Sequence, residues 1–104
     1  MKHFIVEITY TVPFEQLKGI VPLHRQFLEE GYQRGLLLCS GPLPSRTGGI
    51  VVARAASLEE LQDFFDRDPY HLQDIATHHC VEFEPVKHQA FLAAWVSGAE
   101  NPAG

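Results

Sequence analysis

The sequence has few cysteines, few basic residues and no long apolar run. Its two cysteines, Cys39 and Cys80, are too far apart for a CxxC redox or zinc motif, so we expect two small buried or half-buried thiols. Lysine and arginine total 8 against 13 acidic residues, and the formal net charge is -5. Because no basic stripe runs along the chain, nucleic acid and anionic lipid are disfavoured as partners.

Targeting signals and cofactor motifs are also missing. No apolar run approaches the roughly 18–20 residues that a membrane span requires, and the N-terminus meets Glu7 too early for a secretory signal. We therefore expect a cytoplasmic protein without a membrane partner. The sequence lacks a phosphate-binding loop, a dinucleotide fingerprint and zinc-ligand spacing, so we expect no organic cofactor and no metal.

What the sequence contains is typical of one folded domain of 104 residues, 45% of them hydrophobic. Residues 2–11 alternate as a strand does, with one set predicted to face the core: Phe4, Val6, Ile8 and Tyr10. From residue 14 the period becomes helical. We expect a helix over 14–33 with a break at 20–22, because Pro22 removes an amide donor, and a stop at Gly35.

The second half of the chain repeats this alternation of strand and helix. Ser57 and Glu60 form a capping box that opens a second helix, which must end at Asp68 because Pro69 follows. The other predicted elements are a strand at 36–40, a loop at 41–49, a strand at 50–55, a helical turn at 69–75, a strand at 79–86 and helical spacing over 87–96.

The element order β-α-β-β-α-β predicts an α+β, ferredoxin-like fold: a four-stranded antiparallel sheet with two helices on one face. We expect strands one and three to be central and parallel, and strands two and four to be the edges. Cys39 and Cys80 then lie on opposite edges and cannot form a disulfide. The sheet face that neither helix covers carries Ile5 and leucines of strand two, which favours a homodimer. We assign residues 1–86 to this domain and residues 87–104 to a C-terminal extension, a short helix followed by a frayed tail.

Two residues are candidates for acid–base chemistry. His24 lies on the apolar stripe of the first helix, where it is either a core histidine bonded to a backbone carbonyl or a pocket residue that transfers protons. Asp68 precedes Pro69 and is suited to cap the next helical turn. Capping and catalysis are compatible, since an N-capping carboxylate still has a free oxygen.

Other polar residues are candidates for binding a small molecule. Ser40 beside Gly41 is a pocket candidate, and Arg46 in the glycine- and proline-rich loop is either solvated or placed to meet an anionic substrate. His71 either lines the pocket of Asp68 or lies on a helix surface. The adjacent His78 and His79 should point to opposite sheet faces, so they cannot share a metal.

The sequence resembles the YciI-like (YCII-related) family of small bacterial proteins. The motifs that carry the resemblance are Pro22-Leu23-His24-Arg25, Gly35-Leu-Leu-Leu-Cys-Ser-Gly41-Pro42-Leu43, Ser57-Leu58-Glu59-Glu60 and Asp68-Pro69-Tyr70. The resemblance implies a dimeric α+β barrel, related in fold to muconolactone isomerases, with an active site made from His24 and Asp68. Tyr70, within the last motif, joins the substrate-binding candidates. One family member is associated with dehydrochlorination of a chlorinated hydroxyhydroquinone.

Two functions remain open on these grounds. The first is a cofactor-independent enzyme that acts by proton transfer on a small organic acid or ring compound, through elimination or isomerisation. His24 would be the general base, and Asp68 would orient it. The second is a non-catalytic module that binds a small ligand or mediates assembly through the same pocket.

Overall fold

The sheet is built from four strands: β1 (Lys2–Tyr10), β2 (Leu37–Pro42), β3 (Gly48–Ala55) and β4 (Ala76–Phe83). They lie in the order β2-β3-β1-β4, and every neighbouring pair is antiparallel. This computed structural model describes residues 1–99. The predicted α+β, ferredoxin-like fold with edge strands two and four is therefore confirmed.

One detail of the predicted topology is wrong. Strands β1 and β3 are central neighbours, but they run antiparallel, with Val6 opposite Val51. The reason is the way the strands are connected. The helical segment between β1 and β2 is a crossover connection, so β1 and β2 are the parallel strands. They do not touch, because β3 lies between them in the sheet.

The first helical segment breaks where the proline predicts. Helix α1 (Phe14–Leu17) passes into a 3-10 turn (Lys18–Ile20), and helix α2 (Val21–Gln33) then begins with Pro22 in its first turn. A proline is tolerated there because the amide donors of a first helical turn have no partner within the helix. Gly35, at a φ of 72°, follows α2 in the left-handed region that favours glycine.

The second helical segment also follows its sequence signals. Helix α3 (Leu58–Phe65) is capped by Ser57 Oγ, which accepts from the Glu60 amide at 3.1 Å. Helix α4 (Pro69–Leu72) begins after Asp68, and the tail forms a 3-10 turn (Ala90–Leu92) and helix α5 (Ala93–Val96). The C-terminal residues 100–104 of the predicted frayed tail lie outside the described part of the chain.

The core lies between the sheet and helices α1 to α4. Phe4, Val6 and Ile8 are buried on the helix side of β1, as their alternation predicts. They meet the helical set Leu17, Leu28, Leu61, Phe64 and Phe65. Each such side chain contributes about 1.5–3 kcal/mol when it is removed from water, so this layer is the main source of stability.

The strand boundaries differ from those predicted around the glycine-rich loop. Strand β2 extends to Pro42 and β3 begins at Gly48, so the connecting loop is only residues 43–47. Gly48 serves close packing between strands, since a Cβ there would lie 2.0 Å from the Ile8 carbonyl oxygen. The sequence pattern does not distinguish a strand glycine of this kind from a turn glycine. Strand β4 also lies three residues earlier than predicted.

The opposite face of the sheet is apolar at its centre. Ile5 pairs in register with both Val52 and Val81, and cross-strand partners share a face. Of the strand-two leucines, some of which were expected on this face, Leu36 and Leu37 are buried in the core. Helix α5 covers one end, where Arg54 donates to the Trp95 carbonyl oxygen at 2.9 Å and stacks on the indole ring at 4.2 Å.

The cysteines lie on opposite edges of the sheet as predicted, Cys39 on β2 and Cys80 on β4, and both are free thiols. The expectation that both thiols are buried or half-buried is correct for Cys80 but wrong for Cys39, which is exposed because its strand is an open edge. Burial raises the pKa of the Cys80 thiol. Within residues 1–99, no helix has the length and apolar character needed to cross a bilayer.

Candidate functional site

A cavity of about 370 Å³ lies between helix α2 and the sheet, near the β2–β3 loop. Its walls combine apolar side chains with a small number of polar groups, the usual composition of a small-molecule site. The lining residues used below are Ile8, Tyr10, His24, Arg25, Leu28, Ser40, Gly41, Arg46, Val51 and Tyr70.

His24 and Asp68 meet directly beside this cavity. His24 Nδ1 lies 2.8 Å from Asp68 Oδ1, a contact across 44 residues of sequence. Helix α2 turns His24 inward on the same side as Leu28, while Asp68 is held at the junction of α3 and α4. The same Oδ1 accepts from the Tyr70 amide at 3.0 Å and so caps α4. The capping role and the contact with His24 thus coexist on one oxygen.

A second histidine binds the other oxygen of this carboxylate. His78 Nε2 lies 2.8 Å from Asp68 Oδ2, and the His78 side chain is only 8% exposed. In β4 the inward residues are Ala76, His78 and Cys80, while His79 points outward. His79 contacts Glu7 at 3.5 Å on the opposite face, as predicted for adjacent strand residues.

Asp68 is fully buried and stays ionised because of these partners. Burial alone raises the pKa of the Asp68 carboxyl, but hydrogen bonds from His24 and His78, the charge of His24 and the Tyr70 amide outweigh it. The net result is an Asp68 pKa below its ordinary value of 3.8. Since a carboxylate only accepts, both imidazoles must donate an N–H to it.

This pairing fixes the tautomer of His24. Nδ1 carries the proton that is donated to Asp68, so in the neutral ring the lone pair is on Nε2. Because Asp68 lies behind the ring and His24 lines the cavity, Nε2 is the nitrogen available to a bound molecule. Among the described residues Nε2 has no hydrogen-bond partner. A base of this kind can accept a proton while Asp68 stabilises the resulting charge.

Tyr70 fixes the orientation of the His24 ring from one side. The two rings stack with centroids 3.9 Å apart and planes 7° from parallel. Tyr70 is 2% exposed and meets Tyr10 edge to face at 5.8 Å. Burial, together with nearby Tyr10 and Asp68, raises the pKa of the Tyr70 hydroxyl well above its ordinary range. The hydroxyl therefore stays protonated at physiological pH.

The structure brings four of the five substrate-binding candidates to the cavity and leaves one outside. Ser40, Gly41 and Arg46 all line it, and Ser40 Oγ lies 2.7 Å from Tyr32 Oη. Tyr70 lines the cavity too, as described above. His71 is exposed and is not among the lining residues. Its Nε2 lies 3.8 Å from Asp66, and its ring centroid is 6.3 Å from that of His78.

Sequence reasoning missed two residues, His78 and Arg25. His78 was considered only as half of a metal pair, although the strand alternation that separates it from His79 also points it toward the helices. Its distance from Asp68 depends on tertiary structure and has no local signal. Arg25 directly follows His24 and was not among the candidate residues, yet it lines the cavity.

The three-residue cluster is held together by hydrogen bonds. One ring nitrogen of each histidine lies 2.8 Å from an oxygen of the Asp68 carboxylate. Within residues 1–99, no group of three or more histidine, cysteine, aspartate or glutamate side chains is arranged to hold a metal.

The fold is similar to that of a solved enzyme structure, 5-chloro-2-hydroxyhydroquinone dehydrochlorinase (TftG) from Burkholderia phenoliruptrix in complex with 2,5-dihydroxybenzoquinone. The TM-score is 0.64 at 17% sequence identity, and the match covers 86% of this chain and 97% of that chain. At this identity the likeness establishes the fold alone. No curated protein sequence matches this chain significantly.

The family assignment comes from the sequence itself. A family model described as the YCII-related domain matches residues 1–84, which include both His24 and Asp68 and the whole sheet. The match ends before the tail that carries α5. The chain therefore belongs to the YCII-related domain family, as its motifs indicated.

Proposed function

We propose that this protein is a cofactor-independent enzyme that transfers a proton on a small organic acid or ring compound, by elimination or isomerisation. The observation that carries the proposal is the contact of His24 with buried Asp68 at 2.8 Å, beside a cavity of about 370 Å³. An ionised carboxylate, a histidine with a fixed tautomer and a cavity together form the usual unit for general base catalysis.

In the proposed reaction, His24 Nε2 removes a proton from the bound compound. The electron pair released moves into the ring or double bond, and a leaving group departs or a proton returns at another position. Asp68 stabilises the imidazolium, and His78 and Tyr70 orient the pair as positioning residues. Ser40, Gly41 and Arg46 line the space for the substrate. These groups supply base and acid, so the reaction needs no metal or organic cofactor.

The dehydrochlorinase with the similar fold suggests which compounds to test first as substrates. Purified protein in D2O would be incubated with 5-chloro-2-hydroxyhydroquinone and with a panel of unsaturated cyclic acids, and followed by NMR and chloride release. We expect turnover or deuterium incorporation with at least one compound. The variants His24→Gln and Asp68→Asn should each lose about 100-fold or more in rate, the usual range for a missing general base.

The matched control is His79→Gln, which removes an exposed histidine from the opposite sheet face. This variant should keep the wild-type rate. A second outcome is that no compound in the panel reacts, while 2,5-dihydroxybenzoquinone binds and His24→Gln lowers its affinity. This outcome would favour the alternative of a non-catalytic small-ligand-binding module. If His24→Gln reacts as fast as wild type, the proposed base is wrong.

We also propose that the working unit is a homodimer. The support is the apolar centre of the open sheet face, formed by Ile5, Val52 and Val81 in adjacent register. Val81 is 39% exposed in the single chain, and a second copy would remove it from water. The family resemblance to dimeric α+β barrels agrees with this assembly.

A further inference from the structure

Among the described residues, the charged side chains that line the cavity are all basic. Arg25 comes from α2 and Arg46 from the loop 43–47, so the two arginines approach from different elements. No aspartate or glutamate of residues 1–99 lines the cavity. This is unusual for a chain with 13 acidic and 8 basic residues, whose overall charge is negative.

Both arginines lack an anionic partner in the described part of the chain. Elsewhere on the surface, basic side chains pair with carboxylates at Lys2–Glu82, Lys18–Glu15 and Arg67–Glu30. No such ion pair involves Arg25 or Arg46 among residues 1–99. A guanidinium without an internal carboxylate can bind one from a ligand, with two parallel N–H donors directed at its two oxygens.

The backbone holds Arg46 in a defined place. Its φ is 59°, in the left-handed region that is uncommon for residues other than glycine. Its amide donates to the Leu43 carbonyl oxygen at 2.9 Å, and the Leu43 amide donates to the Gly48 carbonyl oxygen at 2.8 Å. The short loop is therefore tied at both ends, and Arg46 stays at the edge of the cavity.

The interior of the cavity suits a single ring. Ile8, Leu28 and Val51 supply apolar walls, and Tyr70 with its stacked His24 supplies a flat aromatic one. A volume of about 370 Å³ is at the small end of the range for ligand sites.

We infer that the cavity binds a single-ring carboxylate, whose ring lies against Tyr70 and His24 and whose carboxylate pairs with Arg25 and Arg46. This deepens the proposed function and rests on it for the role of His24, while the binding step can be measured separately. Arg25 and Arg46 are then the specificity-determining residues that distinguish a ring acid from its neutral analogue.

The test uses two probes of the same shape, benzoate and benzamide, and measures their binding by NMR titration. We expect benzoate to bind about tenfold more tightly than benzamide, because its two anionic oxygens pair with the guanidinium charge whereas the amide offers one neutral oxygen. Arg25→Gln and Arg46→Gln should each lower benzoate affinity about five- to tenfold and lower benzamide affinity much less. Added salt should weaken benzoate alone.

The matched control is Lys87→Gln, which removes the same charge from an exposed residue outside the cavity. It should leave both affinities unchanged. Equal affinities for the two probes, no benzoate binding at millimolar concentration, or benzoate binding that ignores both arginine variants would overturn the inference.

Failure of this inference is distinguishable from failure of the proposed reaction. His24→Gln removes the base but neither arginine, so it should still prefer benzoate to benzamide. If the preference for benzoate depends on the arginines but no turnover depends on His24, the carboxylate site is supported and only the enzymatic role is wrong. If turnover depends on His24 but occurs only with neutral ring compounds, the enzymatic role is supported and the carboxylate site is wrong.

Discussion

Asp68 holds the candidate site together because it accepts from two histidines and a backbone amide. Such a carboxylate is stabilising only while it is charged and all three donors remain in place. Removing one partner leaves a polar group buried and unpaired, which costs more than the hydrogen bond itself. The acid–base chemistry and the local stability of this corner thus depend on the same side chain.

The lowered Asp68 pKa predicts a pH dependence of stability. A carboxyl whose pKa is lower in the folded than in the unfolded chain stabilises the fold fully above its unfolded value, near 3.8, and loses this contribution as the pH falls through the folded value. Asp68→Asn should cost about 2 kcal/mol near neutral pH, and the difference from wild type should shrink below pH 3.8.

Urea unfolding at a series of pH values measures this difference. Asp63→Asn, which changes an exposed aspartate of α3, is the control and should follow the wild-type curve. A constant gap between Asp68→Asn and wild type at every pH would show that the charge of Asp68 does not stabilise the fold.

His78 is predicted to be a positioning residue. His78→Phe keeps a ring of similar size but removes the donor to Asp68 Oδ2, so the carboxylate loses one of its partners. We expect a loss of about 2 kcal/mol in the free energy of unfolding and faster solvent exchange of the His24 Nδ1 proton in NMR spectra. His78→Gln, which restores an N–H donor, should recover part of both.

The neighbouring strand residue supplies the comparison for this experiment. His79→Phe changes an exposed side chain of the same strand and should leave the His24 proton unaffected. Equal effects of His78→Phe and His79→Phe would mean that the strand is sensitive to substitution in general, and that the hydrogen bond to Asp68 has no special role.

At the level of the elements, the close approach of β1 and β3 limits the size of the side chains that fit between them. A Cβ at Gly48 would lie 2.0 Å from the Ile8 carbonyl oxygen, so Gly48→Ala must push β1 and β3 apart. We expect a loss of about 3 kcal/mol, measured by urea unfolding. Gly41→Ala on β2 is the control, since its Cβ would meet no atom of the described residues within 4 Å. A similar cost at both positions would contradict this explanation.

Local sequence signals predicted most of the elements and the central pair of the site. Pro22 located the helix break, Ser57 opened α3, and the alternation in β1 identified its buried face. These signals act over a few residues and have a known physical cause. His24 and Asp68 were found because one interrupts an apolar stripe and the other precedes a proline.

What the sequence did not reveal depends on long-range contacts. The bond of His78 to Asp68 joins β4 to the start of α4 and exists only once the helices lie on the sheet. Arg25 lines the cavity because α2 packs against β2, which is also a long-range contact. The role of Gly48 depends on the distance between two strands, which no turn-residue pattern reports.

For the molecule as a whole, the proposed homodimer is the main expectation. Light scattering at micromolar concentration should give about twice the 11.7 kDa chain mass. Val81→Glu places a charge on the open sheet face and should weaken association about tenfold or more. Leu72→Glu, at an exposed site on α4 away from that face, should remain associated. A wild-type monomer would contradict the proposed dimeric barrel.

The division at residue 86 into a domain and a C-terminal extension also stays a prediction.

The protonation of the two His24 ring nitrogens is the property on which the proposed site depends. In ¹⁵N-histidine-labelled protein at pH 9, NMR should show a proton on Nδ1, retained by Asp68, and a lone pair on Nε2. Addition of 2,5-dihydroxybenzoquinone should shift the Nε2 signal and leave Nδ1 protonated. A proton on Nε2 instead, or an Nε2 signal that ignores a ligand shown to bind, would contradict the assignment of His24 as the base that faces the cavity.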